Sequence, residues 1–418
     1  MPSPGSGDSG RCAPGDATVQ GMSLRPPSVV IGPTTKGFWA PTPIAAAELI
    51  GRTLTDGTFA FPVLSLDAAA LAHNIAELAD WTRAHGLAFA PHGKTTMSPE
   101  IFSAQLDAGA WGMTVATGNQ ALAAYSFGVR RLLVANQVVD PTVLRWIASV
   151  DDAEILFCVD SAEGVALAGR AGGPVSVLLE VGHVGGRTGV RTREEALTVA
   201  RAAHQTDGVS LVGVTAYEGG LPTVEAARAF LAEVRSIATD VAAMIHGPIL
   251  LSAGGSAYFD AVADELGGRE IAGRPTTTIL RSGSYVTHDH GTYVASTPFT
   301  RVTGSLHPAL RVWAQVTSTP EPGLAIVGAG KRDVPYDAGL PVPLRRHGDA
   351  PVALDGWTVT RTNDQHAYLE ASADAPDLQV GDLLELGISH PCTAFDKWRV
   401  IPVLDADRRL VDVVTTWF

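Results

Sequence analysis

Lys36, Lys94, Lys331 and Lys397 are the only lysines among 418 residues, so chemistry that needs a side-chain primary amine has four candidates. Lys94 is set apart by its setting, Pro91-His92-Gly93-Lys94, directly after a short apolar run. An amine partly desolvated at a strand end loses affinity for its proton and can attack a carbonyl to form a Schiff base. The plain alternative is a solvated surface lysine, the usual fate of the residue type. Scarcity and placement argue against it here. Two later segments, Gly254-Gly255-Ser256 and Ser282-Gly283-Ser284-Tyr285, combine small residues that let backbone N–H groups approach an anion with hydroxyls that donate to it. Each alone is equally well explained as a tight turn. Together they read as a phosphate cradle. An amine for an aldehyde and a cradle for a phosphate match the two ends of pyridoxal 5′-phosphate.

A second constellation is His390-Pro391-Cys392, an imidazole and a thiol on one side of an extended segment. Both suit a borderline-soft cation such as Zn2+, and two protein ligands would leave positions open for water or substrate. A packing histidine beside a buried cysteine fits the same spacing. Arg187, in Gly185-Gly186-Arg187-Thr188-Gly189-Val190, could hold a phenolic oxygen of the cofactor or a substrate carboxylate, or pair with a structural acid. His92, His183, His288, His290 and His366 are further candidates, each as readily a satisfied polar group.

The elements that must position these residues are legible as apolar runs. Eight of them occur at Leu87 to Ala90, Trp111 to Ala116, Leu132 to Ala135, Ile155 to Val159, Val175 to Val181, Leu211 to Ala216, Ile249 to Ser252 and Thr277 to Leu280. They are continuous rather than alternating, as strands buried on both faces are, and the segments between them are long enough for crossover helices. This predicts a (β/α)8 barrel over residues 87–290, with the candidate residues at the carboxyl ends of its strands, where barrel active sites lie. An open doubly wound sheet is the runner-up, but the chain lacks an early Gly-rich phosphate turn.

Ahead of the barrel, residues 36–86 form a lead segment. Pro62 to Leu66 reads as a strand, and Asp67 caps a helix with apolar residues at Leu71, Ile75, Leu78 and Trp81. That strand would be a ninth in the barrel, so it is expected to pair with the C-terminal region instead. Residues 291–418 carry seven strand-like runs with turn signals between them and predict an all-β domain bearing the His390 and Cys392 pair. Residues 1–35, rich in Pro, Gly and Ser, read as a flexible tail.

Composition bounds the rest. A formal charge of −13 repels phosphate backbones and anionic membrane surfaces, which disfavours nucleic-acid and membrane partners. No apolar run is long enough to span a bilayer and no secretory leader is evident, so a soluble cytoplasmic protein is expected. Cys12, Cys158 and Cys392 are too few and too scattered for a disulfide framework.

The ordered set Ala90-Pro91-His92-Gly93-Lys94-Thr95, Glu180-Val181-Gly182-His183 running to Arg187-Thr188-Gly189-Val190, Tyr217-Glu218-Gly219, Leu280-Arg281-Ser282-Gly283-Ser284-Tyr285 and His390-Pro391-Cys392 resembles the D-serine dehydratase and D-threonine aldolase family. Its members are fold-type III pyridoxal-phosphate enzymes related to alanine racemase. The resemblance covers roughly residues 40–418. It implies that Lys94 carries the cofactor aldehyde, that Gly255, Ser256, Gly283, Ser284 and Tyr285 hold the phosphate, that Arg187 and Tyr217 line the ring, and that His390 and Cys392 bind Zn2+ or Mn2+. It also implies a homodimer. A His-x-Cys pair resembles the dehydratase branch, whereas aldolases more often show His-x-Asp. The chain departs from the family at Gly219-Gly220 and Asp364-Gln365-His366, which leaves the substrate open. The expected activity is β-elimination from a D-3-hydroxy amino acid, with retro-aldol cleavage to glycine and an aldehyde as alternative and a non-catalytic pyridoxal-phosphate carrier as a third reading.

Overall fold

The computed structural model of the chain describes residues 29–348 and 350–418. Eight parallel strands, β1 (Ala88–Phe89), β2 (Met113–Val115), β3 (Arg131–Gln137), β4 (Glu154–Val159), β5 (Val175–Val181), β6 (Val209–Ala216), β7 (Ile249–Ala253) and β8 (Arg274–Leu280), follow one another around a curled sheet. β8 returns to β1 through the Leu280 and Phe89 register, and β1 meets β2 through a bridge between His92 and Thr114, so the sheet closes. The predicted barrel is present, with all eight expected runs as strands.

Alternation within those runs explains their continuous apolar character. On β3, Leu132 and Val134 join the large core under the outer helices, while the intervening Leu133 meets Leu156 and Leu178 in a separate cluster with Val212 and Leu250 inside the barrel. Both faces are dry, so both must be apolar. The helices start at side-chain caps that the sequence supplies, among them Thr117, Asp140, Ser161, Thr192 and Thr223.

The C-terminal region is an antiparallel β domain of β9 (Leu310–Glu321), β10 (Leu324–Val327), β11 (Val342–His347), β12 (Val352–Ala353), β13 (Trp357–Thr362), β14 (Ala367–Ala371), β15 (Leu383–Gly387), β16 (Val400–Leu404) and β17 (Leu410–Thr415). The lead strand Val63–Asp67 pairs antiparallel with β9 and parallel with β16, stitching the start of the chain into this domain. Asp67 then caps the helix Ala68–Ala84 by accepting from the Ala70 N–H at 2.8 Å. β11 had no counterpart among the expected strands. Its Pro343 and paired arginines mask the pattern, and its register slips between Pro343 and Arg345.

The expected tail needs correction at its end. Residues 1–28, with Cys12, lie outside the described residues, but Val30–Ile31 pairs with Ile44–Ala45. Ile31 is fully buried in a satellite core with Phe38, Leu54 and Phe59, and that burial offsets the entropy of ordering the segment. Among the described residues no helix is long and apolar enough to cross a membrane.

Candidate active site

A cavity of about 320 Å³ opens at the carboxyl ends of the barrel strands. Its barrel wall is made by His92, Lys94 and Thr95 after β1, Asn136 on β3, Glu180 on β5, Thr215 and Tyr217 at the end of β6, Gly254 to Ser256 after β7, and Arg281, Gly283 and Ser284 after β8. Its other wall is Tyr293, His390 and Cys392, with the last two contributed by the β domain. Two stretches nearly 300 residues apart in sequence are thus brought face to face: the Thr95 hydroxyl lies 3.7 Å from the Cys392 sulfur.

Lys94 sits in a single 3-10 turn, Gly93–Thr95. Its amine is held below the ordinary lysine pKa, first by burial and then by the guanidinium charges of Arg187 and Arg281, against an opposing contribution from Cys392. A lowered pKa raises the neutral, nucleophilic fraction at neutral pH. Beside it, the buried Nδ1 of His92 has no hydrogen-bond partner among the described residues. Burial and the charge of Lys94 together push that imidazole well below its usual range, so it is neutral.

The glycine turns are built for close approach. Gly254 adopts φ +114°, a left-handed conformation open to glycine, and a Cβ on Gly283 would fall 2.7 Å from the His92 carbonyl oxygen. The Ser256 and Ser284 hydroxyls meet at 2.5 Å between the two turns. One expectation changes. The N–H groups of Gly254 and Gly255 do not face the cavity; both donate to the buried carboxylate of Glu218 at 3.0 Å. Gly255 contributes space rather than a donor, and Glu218 fixes the turn. Tyr285 also departs from expectation, because its side chain is absent from the cavity wall. Its ring packs edge-on against Phe89, and its hydroxyl accepts from Gln105 at 2.8 Å.

Arg187 reaches the cavity from the loop after β5 and stacks over the Tyr217 ring at 4.8 Å, which leaves its donors for an oxygen ligand. The loop is pinned by Arg191, whose guanidinium donates to the carbonyls of Gly186, Thr188 and Gly189. Glu180 accepts from Gln137 and Thr188. Arg281, not singled out in the sequence, is 5% exposed and donates to Thr215 Oγ1, Ser252 Oγ and the Ala216 carbonyl. It places a fixed positive charge in the floor of the cavity. Its signal was available: an arginine directly following a buried strand, beside the Ser282-Gly283-Ser284 turn.

On the β-domain side, His390 Nδ1 donates to Asp337 Oδ2 at 2.8 Å, and Thr393 Oγ1 donates to Asp337 Oδ1 at 2.9 Å. Contact with the Cys392 thiol, more than the Asp337 carboxylate, raises the His390 pKa to about 9. Asp337 and Tyr293 went unnoticed in the sequence, since neither lies near a recognisable motif. Of the remaining histidines, His183 lines a smaller pocket that adjoins the cavity and shares Glu180, Arg187, Thr188 and Tyr217 with it, and His366 is exposed on the β13–β14 turn. His288 is buried and His290 half-buried, both outside the cavity lining, with pKa values lowered to about 4 chiefly by desolvation.

The residues present fit both groups that the sequence suggested. For pyridoxal phosphate the fit rests on the amine, the orphaned His92 nitrogen and the glycine turns. For a metal it rests on a thiol and an imidazole whose other nitrogen is already committed. Among the described residues, no cluster of three or more His, Cys, Asp or Glu could hold a metal by itself, so the His390 and Cys392 pair would bind one with positions left open.

A lysine-bearing (β/α)8 barrel whose mouth is closed by an antiparallel β domain has the alanine racemase-like architecture of fold-type III pyridoxal-phosphate enzymes. Residues 66–268 match the family described as "Alanine racemase, N-terminal domain", and residues 309–404 match that described as "Putative serine dehydratase domain". The chain is thus similar over most of its length to D-threonine aldolases and hydroxyaspartate aldolases and dehydratases. It is 29% identical to a D-threonine aldolase of Arthrobacter sp, covering 86% of this chain and 92% of that protein. It is 26% identical to a D-threo-3-hydroxyaspartate dehydratase of Delftia sp. (strain HT23), over 85% of this chain and 96% of that one. The fold superposes on the D-threonine aldolase of Filomicrobium marinum with a TM-score of 0.73 at 24% identity, covering 86% and 95% of the two chains.

Proposed function

We propose that this protein is a pyridoxal-phosphate- and divalent-metal-dependent lyase acting on D-3-hydroxy amino acids, removing the β-hydroxyl as water, with hydrolysis of the resulting imine by a second water giving a 2-oxo acid and ammonia. The observation that carries the reading is that the Lys94 amine and the His390 and Cys392 pair line one cavity, with Thr95, next to Lys94, 3.7 Å from the Cys392 sulfur. The relatives' names supply the D configuration and the 3-hydroxy group.

Lys94 would hold the cofactor, with Ser256 and Ser284 offering hydroxyls, Gly255 and Gly283 offering room at its phosphate end, and Arg187 and Tyr217 beside its ring. Bound pyridoxal phosphate supplies an electron sink that makes the Cα proton of an attached amino acid acidic. The Lys94 amine, when not holding the cofactor, would be placed to take that proton. Its lowered pKa lets a useful fraction stay unprotonated at neutral pH. Arg187 offers the substrate carboxylate a charge-assisted partner. A cation held by His390 and Cys392 supplies Lewis acidity at the β-hydroxyl, which departs poorly unaided. The thiolate ligand favours zinc over manganese. A D-threo-3-hydroxyaspartate dehydratase of the same fold has been solved as a Cys-to-Ala variant in a metal-free form.

The retro-aldol reading uses the same residues, with the β-hydroxyl proton removed and the Cα–Cβ bond broken. The D-threonine aldolase relative favours it. A coupled assay separates the two, with D-serine, D-threonine and D-3-hydroxyaspartate tested before and after chelation. The dehydratase reading expects pyruvate and ammonia from D-serine, lost on chelation. Glycine and acetaldehyde from D-threonine, with no pyruvate from D-serine, would overturn it. A chain that turns over none of the panel while holding the cofactor on Lys94 would be a carrier.

A further inference from the structure

We propose that Asp337 is the positioning residue of the metal site, fixing the ring of His390 so that Nε2, and not Nδ1, is the metal-binding nitrogen. The inference rests on the metal reading above and extends it to a residue outside every motif that the sequence displayed.

The geometry is direct. At neutral pH a carboxylate can only accept, so the 2.8 Å contact between His390 Nδ1 and Asp337 Oδ2 places the proton on Nδ1. With Nδ1 engaged, Nε2 is the nitrogen left to exchange its proton for a cation. A histidine ligand held in this way gains basicity and loses rotational freedom, which is why metal-binding imidazoles so commonly give their other N–H to a carboxylate. The second oxygen of Asp337 is engaged as well, by the Thr393 hydroxyl at 2.9 Å, so the carboxylate spans the turn that carries His390 and Cys392.

Asp337 is itself held from both sides. Four residues earlier, Asp333 is 1% exposed, pairs with Lys36 at 2.7 Å and accepts the Gly330 N–H at 2.9 Å. Two residues later, the Gly339 carbonyl accepts from the Ser389 hydroxyl at 2.6 Å, next to His390. The segment between β10 and β11 is thus anchored to the same loop that it orients. The cost of aligning the imidazole is met by the fold before a cation arrives.

The test is competitive Zn2+ titration of chelator-treated, cofactor-loaded enzyme against a chromophoric chelator, with cofactor absorbance followed in the same samples. Asp337→Ala is expected to weaken Zn2+ binding about 10- to 100-fold, with the cofactor absorbance unchanged. Asp337→Asn keeps an acceptor for Nδ1–H and is expected to recover most of that loss. A merely structural role would not produce such a rescue, nor spare the cofactor signal. Zn2+ binding by Asp337→Ala as tight as wild type, alongside loss of binding in Cys392→Ala, would overturn the proposal and leave the metal reading standing. Wild-type enzyme that binds no Zn2+ would overturn both.

Discussion

The two walls of the cavity are made differently. The barrel wall hangs from strand ends locked on both sides by parallel pairing and buried on both faces: Lys94, Arg281 and the two glycine turns lie within a few residues of β1, β7 and β8. The opposite wall rests on loops of the β domain, where His390 and Cys392 occupy a single 3-10 turn steadied by side-chain hydrogen bonds to Asp337. On the proposed reading, the groups that would hold the cofactor lie on the rigid side. The groups that would meet the variable part of a substrate lie on the side that loops can remodel. This division accounts for a family in which aldolases and dehydratases share one architecture.

The most severe way to break the comparison is to remove the amine. Lys94→Ala is expected to abolish covalent cofactor attachment and to lower turnover by at least about 10³-fold, while zinc uptake persists on the other wall. Borohydride reduction and peptide mapping read the first effect, and metal analysis the second. Labelling of another lysine in the wild-type enzyme would remove the basis for the barrel wall's role.

The converse variant sharpens it. Cys392→Ala is expected to cost about 10²-fold in turnover, with zinc content lost and cofactor absorbance retained. Two walls acting independently require that asymmetry. Joint loss of zinc and cofactor would show that they act as one site.

Legibility followed the same divide. Barrel strands announce themselves because burial on both faces enforces runs such as Val175–Val181, and the residues at their ends could be read off in order. The β-domain half of the site was visible only as His390-Pro391-Cys392. Asp337 lies 53 residues from its partner, and β11 hides behind Pro343 and two arginines. Within the barrel, the reading failed where a side chain redirects the backbone: nothing in Tyr217-Glu218-Gly219 says that Glu218 takes the N–H groups of the following strand's turn. Tyr285 failed for a related reason, since the turn that brings Ser284 to the cavity aims the next side chain into the core.

One seam that joins the two walls runs between the barrel helix Pro99–Asp107 and β17, where buried Glu100 accepts from both the backbone N–H and the hydroxyl of Thr415. Asp412, on the same strand, has its pKa raised to about 6, mainly by burial, with repulsion from Glu100 adding to it. A carboxyl whose folded pKa lies above its unfolded value of about 3.9 holds its proton longer in the fold. Stability therefore falls as pH rises from about 4 to 6, and the penalty is complete above that window. Asp412→Asn removes the charge and keeps the oxygen that accepts from the Val413 N–H. Because the group is only half-buried, the expected gain at pH 7 is roughly 1 kcal/mol after solvent screening, fading to nothing near pH 3.5 and leaving turnover unchanged. Urea denaturation across that range measures it. A gain that persists at pH 3.5 would mean that the substitution acts through packing, and a change in turnover would mean that the seam transmits strain to the site instead of only holding its walls together.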